Sequence, residues 1–183
     1  MKAVTRPLDR KAKIDAAELD IQERLLGIDR VTKVVKGGRR LRFRALMVVG
    51  DGKGRVGVGV AKAAGVPEAI RKAAAVGRKG LINVPIVETT IPHEIFAKFE
   101  ASKVLLKPAR QGRGTIASNT VRAVLELAGI SDIVGKTLGS TNKVNVAKAT
   151  MLALSNLKWP EQAGAEAVSE PVAEEEEEES EAE

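Results

Sequence analysis

Two glycine patterns in this sequence have the look of phosphate-binding loops. Gly52, Gly54 and Gly57 spell G-x-G-x-x-G directly after an apolar run, Ala45 to Val49. In a dinucleotide-binding fold such glycines join a strand to a helix, whose N-terminus meets the pyrophosphate. Gly129 to Thr137 resembles a P-loop and ends in Gly135-Lys136-Thr137. Neither pattern has the context its chemistry requires. After Gly54 the chain reads Arg55-Val56-Gly57-Val58-Gly59-Val60-Ala61. That is a period of two, which makes a strand, and a helix so rich in Gly and Val would be poor. In the second pattern five residues separate the glycines, where a P-loop needs four and a preceding strand. The alternation still has a consequence. Val56, Val58 and Val60 share one face, while Gly57, Gly59 and Ala61 leave the other nearly bare. A bare face admits close approach by a packed helix or by RNA backbone.

Catalytic chemistry has little to work with. His93 is the only histidine and there is no cysteine, so no zinc site can be assembled from those ligands. A Ser–His–Asp relay lacks its nucleophile-elbow motif, and we read His93 as structural. Carboxylates are few and scattered, which gives a glycosidase-type pair no support. The chain is not expected to be an enzyme, and no cofactor, metal or small-molecule substrate is expected.

The basic residues are better organised. Arg40, Arg42 and Arg44 alternate with Leu41, Phe43 and Ala45. On a strand the three guanidinium groups line one face, about 7 Å apart, with no acidic residue interrupting the row. Each head can grip two phosphate oxygens, and the apolar side is free to seal a core. Lys33, Lys36 and Arg39 surround Gly37-Gly38, Lys53 and Arg55 stand at the next turn, and Lys62 ends the strand after it. Arg71, Lys72, Arg78 and Lys79 fall on one side of a helix whose other side carries Ile70, Ala73, Ala74 and Gly77. Aromatic residues make up only 2% of the chain. Binding through stacked bases is therefore not expected, and structured RNA read by backbone and shape is the natural partner.

The elements that must position these groups fall into two blocks. The first, 21–84, reads as three antiparallel strands and a helix: a segment Glu23 to Lys36 that contains the strand-like Arg30 to Lys36, a Gly37-Gly38 hairpin turn, Arg39 to Val49, a turn at Gly50 to Gly54, Arg55 to Lys62, then a helix from Pro67 to Lys79 closed by Gly80. The second block, 85–158, opens with extended stretches Ile86–Phe99 and Lys103–Lys107. A helix is expected over Ile116–Ala128, with an apolar stripe of Val121, Val124, Leu125 and Ala128 and with Gly129 as its C′ residue. A strand at Ile133–Leu138 and a last helix through Leu157 follow. That helix has caps among Ser140, Thr141 and Asn142 and a stripe of Val144, Ala147, Met151 and Leu154. Between the blocks' elements, the loop Lys107 to Gly114 leads toward the first of these helices. Its basic side chains and a helix N-terminus suit a phosphate or an acidic protein surface equally.

Charge is segregated along the chain. All 30 basic residues lie before Pro160, with 13 of the 24 acidic ones, a net of +17. Such a body repels itself unless an anion neutralises it. The remaining 11 acidic residues, all Glu, lie in 161–183, with Glu174 to Glu179 unbroken. We read this tail as disordered. It would either shield the basic body or be merely solvated, and solvation is the simpler expectation. Residues 1–20 read as a loosely ordered polar arm without a signal peptide. No apolar run approaches the length of a membrane helix.

Read in order, "RVTKVVKGGRRLRFRALMVVGDGKGRVGVGVAKA", "VPEAIRKA", "TIPHEI", "LLKPARQGRGTIAS" and "VRAVLELAGISDIVGKTLGSTNKVNVAKAT" resemble the family of the fifth small-subunit ribosomal protein. The resemblance implies an α+β fold. A β-β-β-α domain like those that bind double-stranded RNA would be followed by a β-α-β domain with a left-handed crossover. It implies a cytoplasmic protein of the small ribosomal subunit that binds small-subunit rRNA at the head–body junction. Its place would be near the mRNA entry side, touching the fourth and eighth small-subunit proteins and affecting decoding accuracy. By the same resemblance, Thr32, Lys33, Val34, Val35, Lys36, Gly37, Gly38 and Arg39 match a loop linked to spectinomycin. Arg110, Gly112, Arg113 and Gly114 match a segment near the fourth protein. Two rivals stand beside this reading: a free-standing RNA-binding regulator of the same fold, and a nucleotide-using enzyme built on a glycine loop.

Overall fold

The structure is a computed structural model that describes residues 3–5 and 20–158. Most of the arm and the whole acidic tail lie outside the described residues. The first sheet is antiparallel throughout, in the order β1 (Gln22–Val35), β2 (Gly38–Gly50), β3 (Arg55–Ala63) and β4 (Ile82–Asn83). Helix α1 (Val66–Lys79) follows β3, with Gly65 as N-cap, Pro67 in its first turn and Gly80 as C-cap. The second sheet has the order β5 (Ile95–Phe99), β6 (Ser102–Pro108), β8 (Ile133–Gly139), β7 (Thr115–Ile116). Strands β7 and β8 run parallel and are joined through α2 (Asn119–Ala128), which makes the β-α-β unit. Helix α3 (Lys143–Ser155) ends the described fold, with Asn142 Oδ1 accepting from the Val144 N–H at 3.1 Å.

Several details depart from the sequence reading. The β1–β2 turn is one residue early: Val35 pairs with Gly38, leaving Lys36 and Gly37 as the loop. Strand β4 was not anticipated; two residues are too few to show a period. Ile86–Phe99 is extended only from Ile95, and a Val87–Thr90 bridge closes a turn before it. Helix α2 starts at Asn119, three residues later than expected, because Thr115 and Ile116 bond to β8 first. From the arm, Val4 pairs with β5: its N–H donates to Phe96 O at 2.8 Å and its carbonyl accepts from Lys98 N–H at 2.9 Å.

The bare glycine face is covered by a helix. A Cβ on Gly59 would collide with the Ala73 carbonyl of α1, and one on Gly57 with that of Gly77. Ala45, Met47, Ala63, Ala69, Ala73 and Ala74 form the thin core between sheet and helix. The other face of the sheet joins a larger core. Val48 and Val56 pack with Val104, Leu106, Val124, Leu125, Ile133 and Leu154. Helices α2 and α3 thus lie between the two sheets. This is why α3 lacks the stripe read from its sequence. It buries Val146, Ala149, Thr150, Leu152 and Ala153 as well as Ala147 and Leu154, while Val144 and Met151 are only half-buried.

The close approach makes a stability prediction. Gly59→Ala should destabilise the chain by about 3 kcal/mol in urea unfolding, because the helix backbone must move. Gly37→Ala, with nothing within 4 Å of the new atom, should stay within about 0.5 kcal/mol. Equal effects would mean that α1 does not pack on the glycines.

Candidate nucleic-acid interface

The turn that carries the dinucleotide pattern is occupied by protein. Gly52 N–H donates to Leu127 O at 3.0 Å and Gly54 N–H to Ala128 O at 2.9 Å. Asp51 Oδ1 accepts from the Lys53 and Arg55 N–H groups at 2.8 and 3.0 Å and holds the turn closed. The glycine loop therefore caps the C-terminal, electronegative end of α2. A phosphate would meet carbonyl oxygens there, not donors. The second pattern is dispersed as well: Gly129 is the left-handed cap of α2, and Gly135 to Thr137 lie within β8.

Sheet register fixes where the cations go. Arg40, Arg42 and Arg44 share a face with the β1 residues opposite them, Lys33, Val31 and Asp29, and with Lys62 of β3 opposite Arg44. This is the face turned away from α1. An acidic residue does touch the arginine row: Asp29 Oδ2 accepts from Arg44 Nη2 at 2.7 Å and from Nε at 3.1 Å. Beyond that pair the row is purely cationic. Val31, Thr32, Lys33, Val35, Arg40, Arg42 and Lys62 line an open depression of about 270 Å³. Lys33 and Arg40 stand directly opposite each other, an arrangement that is unfavourable without an anion between them. A second depression of about 350 Å³ adjoins it, lined by Gly27, Asp29, Arg44, Leu46 and the start of α3 from Thr141 to Val144. Lys143 was missed in the sequence reading. Asn142 as a cap marked the helix start, but nothing local placed that start beside Arg44.

The other cations lie elsewhere. Arg71, Lys72 and Arg78 are exposed on α1, on the opposite side of the sheet, and Arg78 pairs with Glu23 at 2.9 Å. Lys53 and Arg55 sit at the inner turn, where Arg55 lies 3.8 Å from Asp51. Arg39 has the register of the α1 face, and Lys36 is at the hairpin tip. The outer half of the hairpin is uncovered on both sides: Val34 is 73% and Leu41 46% exposed on the α1 side, and Val35 36% on the other. The apolar side of the arginine strand thus seals a core only from Phe43 inward. The outward face of the second sheet carries a further cluster the sequence reading passed over, where Lys98 pairs across the strands with Lys103 and Lys136 lies exposed on β8.

The Lys107 to Gly114 loop does not present a helix N-terminus, since β7 intervenes. Its amides face an internal carboxylate. Gly114 N–H donates to Asp132 Oδ1 at 2.7 Å, and Asp132 is almost wholly buried. The Gly114 hydrogen bond, then Thr89 and the Gly112 and Arg113 amides, hold its pKa below the ordinary carboxylate value. Asp132 fills the place a phosphate would take, and Arg110 and Arg113 remain exposed outside it. His93 is half-buried with its Nδ1 unpartnered. Burial, then the charge of Lys158, lowers its pKa.

Residues 21–85 match the family described as ribosomal protein S5, N-terminal domain, and residues 97–167 match ribosomal protein S5, C-terminal domain. The chain belongs to the ribosomal protein S5 family. It is accordingly a structural, RNA-binding protein of the small ribosomal subunit, in a family of ribosome components and not of enzymes. The α+β fold expected from the S5 resemblance is the one described above.

The Asp132 contact has a pH signature. Its folded pKa is depressed, so its stabilisation is present above the ordinary value of 3.8 and is lost as pH falls through the folded pKa. Asp132→Asn should remove that part of the acid decline in melting temperature. It should also speed tryptic cleavage at Arg110 and Arg113. An unchanged acid limb and cleavage rate would mean that other contacts hold the loop.

Proposed function

We propose that this S5-family chain clamps small-subunit rRNA at the head–body junction near the mRNA entry side, chiefly through the α1-distal face of its first sheet. The observation that carries this is the depression lined by Lys33, Arg40, Arg42 and Lys62 without a carboxylate. Its shape and charge suit sugar–phosphate oxygens. The described aromatics, Phe43, Phe96 and Phe99, are all half-buried rather than open to stack on bases, so the grip reads backbone geometry.

The remaining cations take secondary roles in the same reading. Lys36 and Arg39 bring the hairpin tip, Thr32 to Arg39, against RNA in the region linked to spectinomycin. Arg71, Lys72 and Arg78 offer a second RNA contact on the far side, and Lys53 and Arg55 a third at the inner turn. Arg110, Gly112, Arg113 and Gly114 form the surface for the fourth small-subunit protein, with the eighth also adjacent. Through these contacts the chain contributes to decoding accuracy in the cytoplasmic ribosome. Residues 21–84 and 85–158 act as two domains, the first supplying most RNA contacts and the second most protein contacts.

The test is the salt dependence of binding to an rRNA fragment. Arg40→Gln and Arg42→Gln should each lower the slope of log K against log salt by at most about 0.9. Arg44→Gln should lower it less, because Asp29 already shares that guanidinium. An unchanged slope after Arg40 and Arg42 are replaced together would put the RNA elsewhere.

A further inference from the structure

Within the described residues, the cationic depression has no counter-charge. None of the ion pairs among the described residues involves Lys33, Arg40, Arg42 or Lys62. The same chain carries six consecutive glutamates, Glu174 to Glu179. We propose that this Glu run occupies the Lys33–Arg40–Arg42–Lys62 depression of its own chain in the RNA-free protein and is displaced by rRNA. The proposal rests on the reading of that depression as the RNA grip.

Geometry permits it. Helix α3 spans 13 residues, about 20 Å, and its N-terminal end lies at the depression that adjoins the cationic one. Glu174 lies 16 residues beyond Lys158, a length that reaches at most about 55 Å. The run can therefore pass back along α3 to the hairpin. Charge also favours this site over others. Arg44, Arg78 and Arg55 already have carboxylate partners. The Lys98–Lys103 pair lies side by side on a strand face of the second sheet. The Lys33–Arg40 pair shares its depression with Arg42 and Lys62, so four cations line one concavity. An intramolecular site also raises the local concentration of the tail to the millimolar range. Solvation alone, the simpler reading of the tail, leaves the opposed Lys33 and Arg40 charges unrelieved.

The chain has no cysteine, so Ser180→Cys gives one attachment point for a spin label beside the Glu run. In the RNA-free full chain, the amide signals of Lys33, Arg40, Arg42 and Lys62 should broaden and those of α1 should not. Broadening should disappear at about 1 M salt, where the Debye length is about 3 Å, and when all six glutamates are changed to Gln. That Gln variant, and a chain ending at Pro160, should bind an rRNA fragment about three- to tenfold more tightly at low salt. This corresponds to a depression closed about 70–90% of the time. Broadening that is absent, centred on Lys98, Lys103 and Lys136, spread over every basic surface, or produced only between different chains would overturn the proposal. The two readings fail separately. If the chain ending at Pro160 binds rRNA while broadening is absent, only the tail proposal falls. If that chain does not bind rRNA, the RNA reading falls, and broadening still decides whether the tail docks.

Discussion

Backbone meets backbone on one face of the first sheet and at its inner turn, and the remaining architecture follows from these contacts. On one face Gly57 and Gly59 let α1 settle directly on β3. At the inner turn, Gly52 and Gly54 donate their N–H groups to the last carbonyls of α2. These orphan carbonyls would otherwise need water or a side-chain donor. The turn satisfies them and joins the first sheet to the β-α-β unit in one step. Val48 and Val56 then enter the same core as Leu125 and Leu154. Each such side chain contributes about 1.5–3 kcal/mol when fully buried. Two compositional halves therefore share one interior.

That anchoring at the inner end leaves the outer end free. Strand β1 has 14 residues, about 45 Å of strand, and α1 has 14, only about 21 Å of helix. A helix of that length covers half the hairpin. The uncovered half holds Lys33, Arg40 and Arg42, none of which has a carboxylate partner among the described residues. Arg44, at the boundary, has Asp29. Arg40 and Arg42, beyond it, have nothing comparable in the described protein. The loop at Gly112 to Gly114 shows the opposite arrangement. There an internal carboxylate, Asp132, satisfies the donors and leaves the arginines on the outside. One basic region keeps its cations without an internal carboxylate, and the other is satisfied from within and leaves its arginines outside.

What the sequence made legible was what repeats locally. The alternation from Arg39 to Lys62 gave two strands and their faces, and Pro67 with Gly80 bracketed α1 almost to the residue. Gly129 marked the end of α2 correctly. What stayed hidden depended on distant partners. Strand β4 exists because Val56 and Arg55 need neighbours, and Thr115–Ile116 is strand because β8 is beside it. The α3 stripe failed because a helix between two sheets is apolar on most sides, so periodicity points nowhere. The basic set was legible as residues but not as a surface. Residue spacing could not show that α1 puts Arg71 and Lys72 behind the sheet, nor that Asp29 lies across from Arg44. The last of these is a register fact, and a one-residue slip would have paired Arg44 differently.

The outer hairpin is the part of the first sheet with the least support from within. Two strands without a third, and without a packed face, are marginal in water. Here Val34 and Leu41 are largely exposed, and Lys33 opposes Arg40 across the strands. Neither burial nor charge holds this half in place from within. A surface that supplies phosphate between the opposed cations changes both terms. It turns a repulsive cross-strand pair into a bridged one, and it covers Val31 and Val35, which line the same depression. With an anion bound there, the residues that weaken the isolated hairpin would contribute to binding, and ordering of the tip would be coupled to occupancy of the cationic depression. A hairpin with alternating Glu and Lys there would be more stable alone and would have no reason to hold a polyanion.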